Sequence, residues 1–101
     1  MLVDDPSAHL CVAVVKEEVI GYVFAFSHNT FYANGCVAWV EEIMVDSNSR
    51  KQGVGKALVQ SVEEWATIQD CRIIALATRR AESFYEAIGY EASATYFRKL
   101  I

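Results

Sequence analysis

An apolar run over residues 37–45 ends in a short polar turn, and two glycines, Gly53 and Gly55, follow one residue apart where an amphipathic helical pattern begins. That arrangement builds an anion cradle. Glycine lacks the Cβ atom that holds a ligand away, so backbone N–H groups of Gln52, Gly53, Val54 and Gly55 can converge on a phosphate at the positive end of the helix. Two other glycine motifs do not fit. A Walker A loop needs a wider glycine spacing followed by Gly-Lys-Ser/Thr, and a dinucleotide fingerprint needs a third glycine where Leu58 stands.

The whole chain, residues 1–101, reads as a single domain, and at this size it buries roughly two-thirds of its unfolded surface. With 53% hydrophobic residues, one proline and five glycines, it leaves little room for linkers or disorder. The net charge is −4 and the basic residues are scattered, which argues against a nucleic-acid partner and favours cationic ones. Apolar runs such as 19–26 fall short of the roughly 20 residues of a membrane span, and acids stand where a signal peptide carries lysines. A cytoplasmic protein without membrane contact is expected. Cys11, Cys36 and Cys71 are widely spaced without a C-x-x-C pair and read as buried, reduced thiols. His9 and His28 lie outside any ligand spacing, so no metal is expected.

Residues 1–9 read as a polar leader, and 10–15 and 19–26 as an antiparallel hairpin turning at Lys16, Glu17 and Glu18. A polar loop over 27–35 precedes a third strand, 36–45. Val54, Leu58, Ser61, Val62, Trp65 and Ile68 then recur at helical steps, predicting a helix to about residue 69 with one face on a sheet. An apolar strand over 72–78 follows, parallel to the third because a helix joins the two. A second helix over 80–88 stops at Gly89, and 95–101 alternates as a final edge strand. The fold class is a mixed α/β sheet, antiparallel in front with a central parallel pair, and two helices.

The spacing Arg50-x-x-Gly53-x-Gly55 resembles the [QR]-x-x-G-x-[GA] pyrophosphate signature of the GNAT N-acetyltransferase superfamily, which uses acetyl-CoA. About thirty residues later, Ala81-Glu82-Ser83-Phe84-Tyr85-Glu86-Ala87-Ile88-Gly89-Tyr90 resembles that family's A-x-x-F-Y-x-x-x-G-[FY] segment, in the family's order. The resemblance spans residues 10–101. It implies a GNAT-like fold and acetyl transfer to an amine without a metal.

Carried over by position, the backbone of Ile43, Met44 and Val45 would bind the pantetheine arm, with the Ile43 N–H on the thioester carbonyl. Arg50, Lys51, Gln52, Gly53, Val54, Gly55 and Lys56 would hold the pyrophosphate. Thr78 stands where the family often has an asparagine that contacts pantetheine or substrate. Tyr85 would protonate the departing sulfur. Strand alternation places Glu41 and Glu42 on opposite faces. The segment Trp39-Val40-Glu41-Glu42-Ile43-Met44-Val45 is similar to the acidic strand of small-amine acetyltransferases, of the polyamine and aminoglycoside type. By that resemblance Glu41 shares a side with Ile43 and orients or deprotonates the amine through water.

The family also begins with a strand and two helices that cover one side of the sheet, and only residues 1–9 precede the first strand here. The strands at 10–15 and 19–26 look buried on both faces, so a homodimer or larger assembly is expected to cover the bare side. The alternative is a catalytically silent GNAT-like module that binds CoA or a protein partner.

Overall fold

The computed structural model describes residues 5–30, 35–50 and 52–101. Four strands form one sheet in the order β1 (Ala8–Val15), β2 (Glu18–Thr30), β3 (Gly35–Val45) and β4 (Cys71–Ala75). The first three pair antiparallel, and β4 runs parallel to β3. Helix α1 (Val54–Ile68) connects β3 to β4, and a shorter helix, α2 (Glu82–Ala87), follows β4. The mixed sheet and its two helices match the sequence-based expectation.

Local chemistry accounts for these elements. Val15 pairs with Glu18, and between them Lys16 and Glu17 both take positive φ, 51° and 68°. A two-residue hairpin needs that backbone to follow the strand twist, and two solvated non-glycine residues adopt it here at a cost of about 1 kcal/mol each. Helix α1 lays Leu58, Val59, Val62 and Ala66 inward and touches all four strands. Full burial of each larger side chain stabilises the fold by roughly 1.5–3 kcal/mol. Gly21 on β2 permits that approach. A Cβ there would meet the Met44 carbonyl oxygen at 2.8 Å and Leu58 at 3.3 Å.

The core under α1 is Val23, Ala25, Val40, Leu58 and Val62, with Cys11, Ala13, Ile43, Val45 and Ile74 packed around it. Among the described residues the opposite sheet face lacks such cover. Leu10, Val12, Val14 and Met44 on that face are 49–53% exposed. Within this chain the first two strands are buried on one face, because α1 fills a single side of the sheet, and the other is the bare face that their apolar runs predict.

Three expectations are corrected. Residues 91–101 form no strand, and Tyr96, Phe97, Leu100 and Ile101 are strongly exposed. Alternation reports an amphipathic segment, but without a buried face nothing offsets the entropy of ordering it. Cys36 and Cys71 are joined as a disulfide across the first rung of β3 and β4, 4.3 Å apart at Cα, and only Cys11 keeps a free thiol. Wide spacing in sequence concealed a pair that the parallel crossover brings together. The polar loop over 27–35 is also shorter than expected, because β2 continues to Thr30 and β3 starts at Gly35; residues 31–34 lie outside the described segments.

Pro6 and His9 are tied to α1. His9 lies in β1, its ring stacked on Trp65 with centroids 5.3 Å apart, and its Nε2 is 3.0 Å from the Ser61 hydroxyl. Ser61 donates its own proton to the Leu58 carbonyl at 2.6 Å, so the serine oxygen accepts and Nε2 of neutral His9 donates. The Trp65 indole N–H donates to the Pro6 carbonyl at 3.3 Å. Burial pushes the His9 imidazole below its ordinary value of 6.5. The folded state thus takes up the proton less readily than the unfolded chain, and stability falls as pH drops below about 6.5. The urea midpoint is expected to decrease between about pH 7 and 5.5 in the native chain and to change much less in His9→Gln.

Candidate functional site

The parallel ladder between β3 and β4 is short. Cys36, Val37, Ala38 and Trp39 pair with Cys71, Ile73, Ile74 and Ala75, and there β4 ends while β3 runs on to Val45. From Val40 to Val45, β3 pairs with no described strand except β2, and the Val45 carbonyl accepts from the Arg50 side chain. The result is a fork, closed at the disulfide and open where Ile43, Met44 and Val45 reach the turn. An extended ligand can lie in such a fork and pair with the free backbone edge of β3.

The turn at the open end leads straight into α1. A single 3-10 turn, Ser47–Ser49, carries the chain past Asp46, and Gly53 caps the helix with φ 82° and ψ 4°. Only glycine takes that left-handed backbone without strain. The first helical bond runs from the Ala57 N–H to the Gly53 carbonyl at 3.0 Å. The N–H groups of Val54, Gly55 and Lys56 therefore precede the first acceptor within the helix. Among the described residues no side chain caps this end, and its first turn holds no acidic residue. Fifteen residues of aligned peptide dipoles add partial positive charge at the same place. Arg50 donates from Nε to the Val45 carbonyl at 3.2 Å, which holds its guanidinium beside the turn. Gln52 and Lys56 are exposed on the rim, and Lys51 lies outside the described residues.

Helix α2 reaches this end through Phe84, whose ring carbon lies 3.3 Å from the point where a Cβ on Gly55 would stand. Gly55 thus serves packing as well as approach. The neighbouring Tyr85 is 7% exposed, its ring edge-on to Phe84 and Tyr90 at 5.0 and 5.8 Å. Burial pushes its phenol above the usual range, so it keeps its proton at neutral pH. Thr78, exposed, accepts a hydrogen bond from the Ala81 N–H at 3.1 Å, so its oxygen organises the entry to α2 while its own proton stays available.

Glu41 sits differently from the simple alternation. Phe24 pairs with Glu42 and Ala25 with Val40, which leaves Glu41 as the extra residue of a β-bulge. Val40 and Ile43 face α1, whereas Trp39 lies opposite Phe26 on the uncovered side. The Trp39 indole N–H donates to the Glu41 carboxylate at 3.1 Å, which draws Glu41 to that side. Glu42 is there too, accepting a short hydrogen bond of 2.5 Å from the Tyr22 hydroxyl. The expectations that the two carboxylates part and that Glu41 accompanies Ile43 are both corrected, because a bulge breaks the period of two. Both carboxylates border an aromatic surface of Tyr22, Phe24, Phe26 and Trp39, suited to holding a cation.

Sequence reasoning missed three groups that the fold supplies. Tyr90 donates to Glu63 of α1 at 2.9 Å and ties the chain after α2 to the long helix; the motif ending at Gly89-Tyr90 held the only trace of it. The Tyr22–Glu42 and Trp39–Glu41 pairs depend on register and on the bulge, for which the sequence carries no signal.

Comparison with known proteins agrees with this architecture. The family model described as Acetyltransferase (GNAT) family matches residues 1–90. The aminoglycoside N(6')-acetyltransferase type 1 of Salmonella typhimurium is 30% identical over 98 residues, covering 87% of this chain and 67% of that protein. Aminoglycoside N-acetyltransferase AAC(6')-Iy, solved in complex with CoA, is 25% identical with a TM-score of 0.81, covering 99% of this chain and 81% of that one. Glucosamine-6-phosphate N-acetyltransferase from Arabidopsis thaliana shares the fold at 20% identity, with a TM-score of 0.88 over 96% of this chain and 69% of that one.

The geometry at Gly53 is directly testable. Gly53→Ala forces a Cβ into the left-handed region and is expected to lower stability by about 1 kcal/mol in urea denaturation, with the far-UV spectrum unchanged.

Proposed function

The chain belongs to the GNAT acetyltransferase family and is an acyl-CoA-dependent N-acyltransferase, and from that premise we propose that it moves acetyl from acetyl-CoA to the primary amine of a small cationic compound, of the polyamine or aminoglycoside class. The observation that carries this reading is the coincidence of the open β3–β4 fork with the uncapped, glycine-lined end of α1. Named relatives that acetylate aminoglycosides support the acceptor class.

The residues present fit the cosubstrate. Gly53 opens onto free space, and there the amides of Gln52, Gly53, Val54, Gly55 and Lys56 would hold the pyrophosphate with Arg50, Lys51 and Lys56 adding charge. The free edge of β3 at Ile43, Met44 and Val45 would align the pantetheine arm, and Thr78 would donate to it. Acetyl-CoA supplies a thioester whose carbonyl carbon the amine attacks. The Ile43 N–H stabilises charge on that carbonyl oxygen. An ammonium has a reference pKa of about 10.4 and must lose a proton before it attacks. Glu41, with Trp39 steadying its carboxylate, orients the amine and receives that proton through water. Tyr85 gives its proton to the sulfur as the C–S bond breaks.

Tyr85→Phe is expected to lower kcat by roughly 100-fold while acetyl-CoA affinity by calorimetry stays unchanged. Because burial holds the phenol above its ordinary value of 10.0, the native rate should not decline on the alkaline side before that pH. Acceptors are found by following thiol release with polyamines, aminoglycosides, amino acids and lysine peptides. Acetyl-CoA binding without release from any of them would favour a silent CoA-binding module.

The exposed apolar face of β1 and β2 supports a homodimer in which the second subunit covers Leu10, Val12 and Val14. Light scattering at micromolar concentration is expected to give twice the chain mass, and Val12→Asp to give a folded monomer. A native monomer would overturn the assembly.

A further inference from the structure

We propose that Cys36 and Cys71 form a thiol–disulfide exchange site for low-molecular-weight disulfides of the glutathione type, and that its closure sets how firmly the cofactor half of the molecule is held. The two residues face each other at the closed end of the β3–β4 fork, on a rung that precedes a shift in register. Only three further rungs, at Val37, Ala38 and Trp39, join the strands before they part. A covalent bond at that end therefore governs a large share of what keeps the strands together.

The bond also has a telling reach along the chain. It closes a loop of 35 residues that contains the rest of β3, the glycine turn and all of α1, which is the half of the molecule assigned above to the cosubstrate. Closing a loop of this length removes freedom from the unfolded chain and restrains both arms of the fork.

Reagents can reach the site. Cys36 and Cys71 are partly exposed, and Cys71 lines an open pocket of 470 Å³ with Thr67, Asp70 and Arg72. Arg72 packs beside Gly35, its Nε 3.4 Å from where a Cβ there would stand, so strand alternation leaves the cysteine side of this corner clear of it. Asp70 on the other flank is exposed and its charge is screened. Cys11 is on β1, away from this corner, and has no partner among the described residues.

The exchange balances. The Cys71 thiolate attacks glutathione disulfide, forming a mixed disulfide and releasing one glutathione thiolate. Cys36, deprotonated, then attacks the Cys71 sulfur and releases the second. Two cysteine thiols are oxidised by two electrons, one glutathione disulfide is reduced to two glutathiones, and excess glutathione reverses both steps.

The test equilibrates the full chain with glutathione at graded ratios of reduced to oxidised form and then alkylates it. Mass spectrometry is expected to show three blocked thiols in reducing buffer and one, at Cys11, in oxidising buffer. The unfolding equilibrium should shift toward the native state by roughly 30- to 1000-fold on closure. Cys11→Ser should preserve that shift. Cys36→Ser, or Cys71→Ser if the first variant does not fold, should abolish it. Three blocked thiols at every ratio, or one at every ratio, would overturn the exchange site. The cofactor arm rests on the acetyl-CoA reading above: the oxidised form should bind acetyl-CoA more tightly in calorimetry, and equal affinity would overturn the link to the cofactor half. Binding to neither form would defeat the acetyl-CoA reading, while thiol counts and denaturation still decide the exchange site.

Discussion

Helix α1 covers one face of the sheet by itself, and burial of Leu58, Val59, Val62 and Ala66 against all four strands is what holds it there. That burial sets the position of the helix along its whole length. The buried positions begin one turn beyond Gly53, so the uncapped first turn is carried past the apolar contact and left at the end of β3. Gly21 belongs to the same constraint, since its missing side chain lets Leu58 and Val54 settle on β2. The uncapped end of the helix is thus placed by hydrophobic contact elsewhere on it.

The fork depends on the same contact. With α1 seated over the middle of the sheet, β4 returns beside the first part of β3 and stops at Ala75, leaving the later part of β3 open on one side. Residues beyond Ala75 still contribute, because Leu76 packs against the core and Thr78 shapes the entry to α2. Helix α2 is only six residues long and would not be stable in isolation. Phe84 against Gly55 and Tyr90 against Glu63 fasten it to the first turn and the second half of its neighbour. Tyr85 lies between those anchors in the chain, where burial keeps its proton bound.

On the other side of the sheet, one extra residue changes the chemistry. The bulge at Glu41 adds a carboxylate to the side that already carries Glu42, and the aromatic rings of Trp39 and Tyr22 hold both in place. Tyr85 lies in the helical layer, whereas Glu41 is held by Trp39 on the other side of the sheet.

Much of this was legible in the residues themselves. The order of elements, the parallel pair, the glycine turn and the cap at Gly89 all follow from local rules: apolar period, glycine conformational freedom and the length of a crossover. Those rules act within a few residues of one another, so a linear reading can see them. Three things required the folded chain. Cys36 and Cys71 meet only because the crossover returns β4 to the start of β3. Glu41 and Glu42 share a side only because pairing with β2 inserts a bulge. The segment 91–101 alternates like a strand yet finds no buried face. Each outcome depends on which distant backbone lies alongside, and competition among such pairings is settled by packing over the whole sheet, which no stretch of sequence specifies alone.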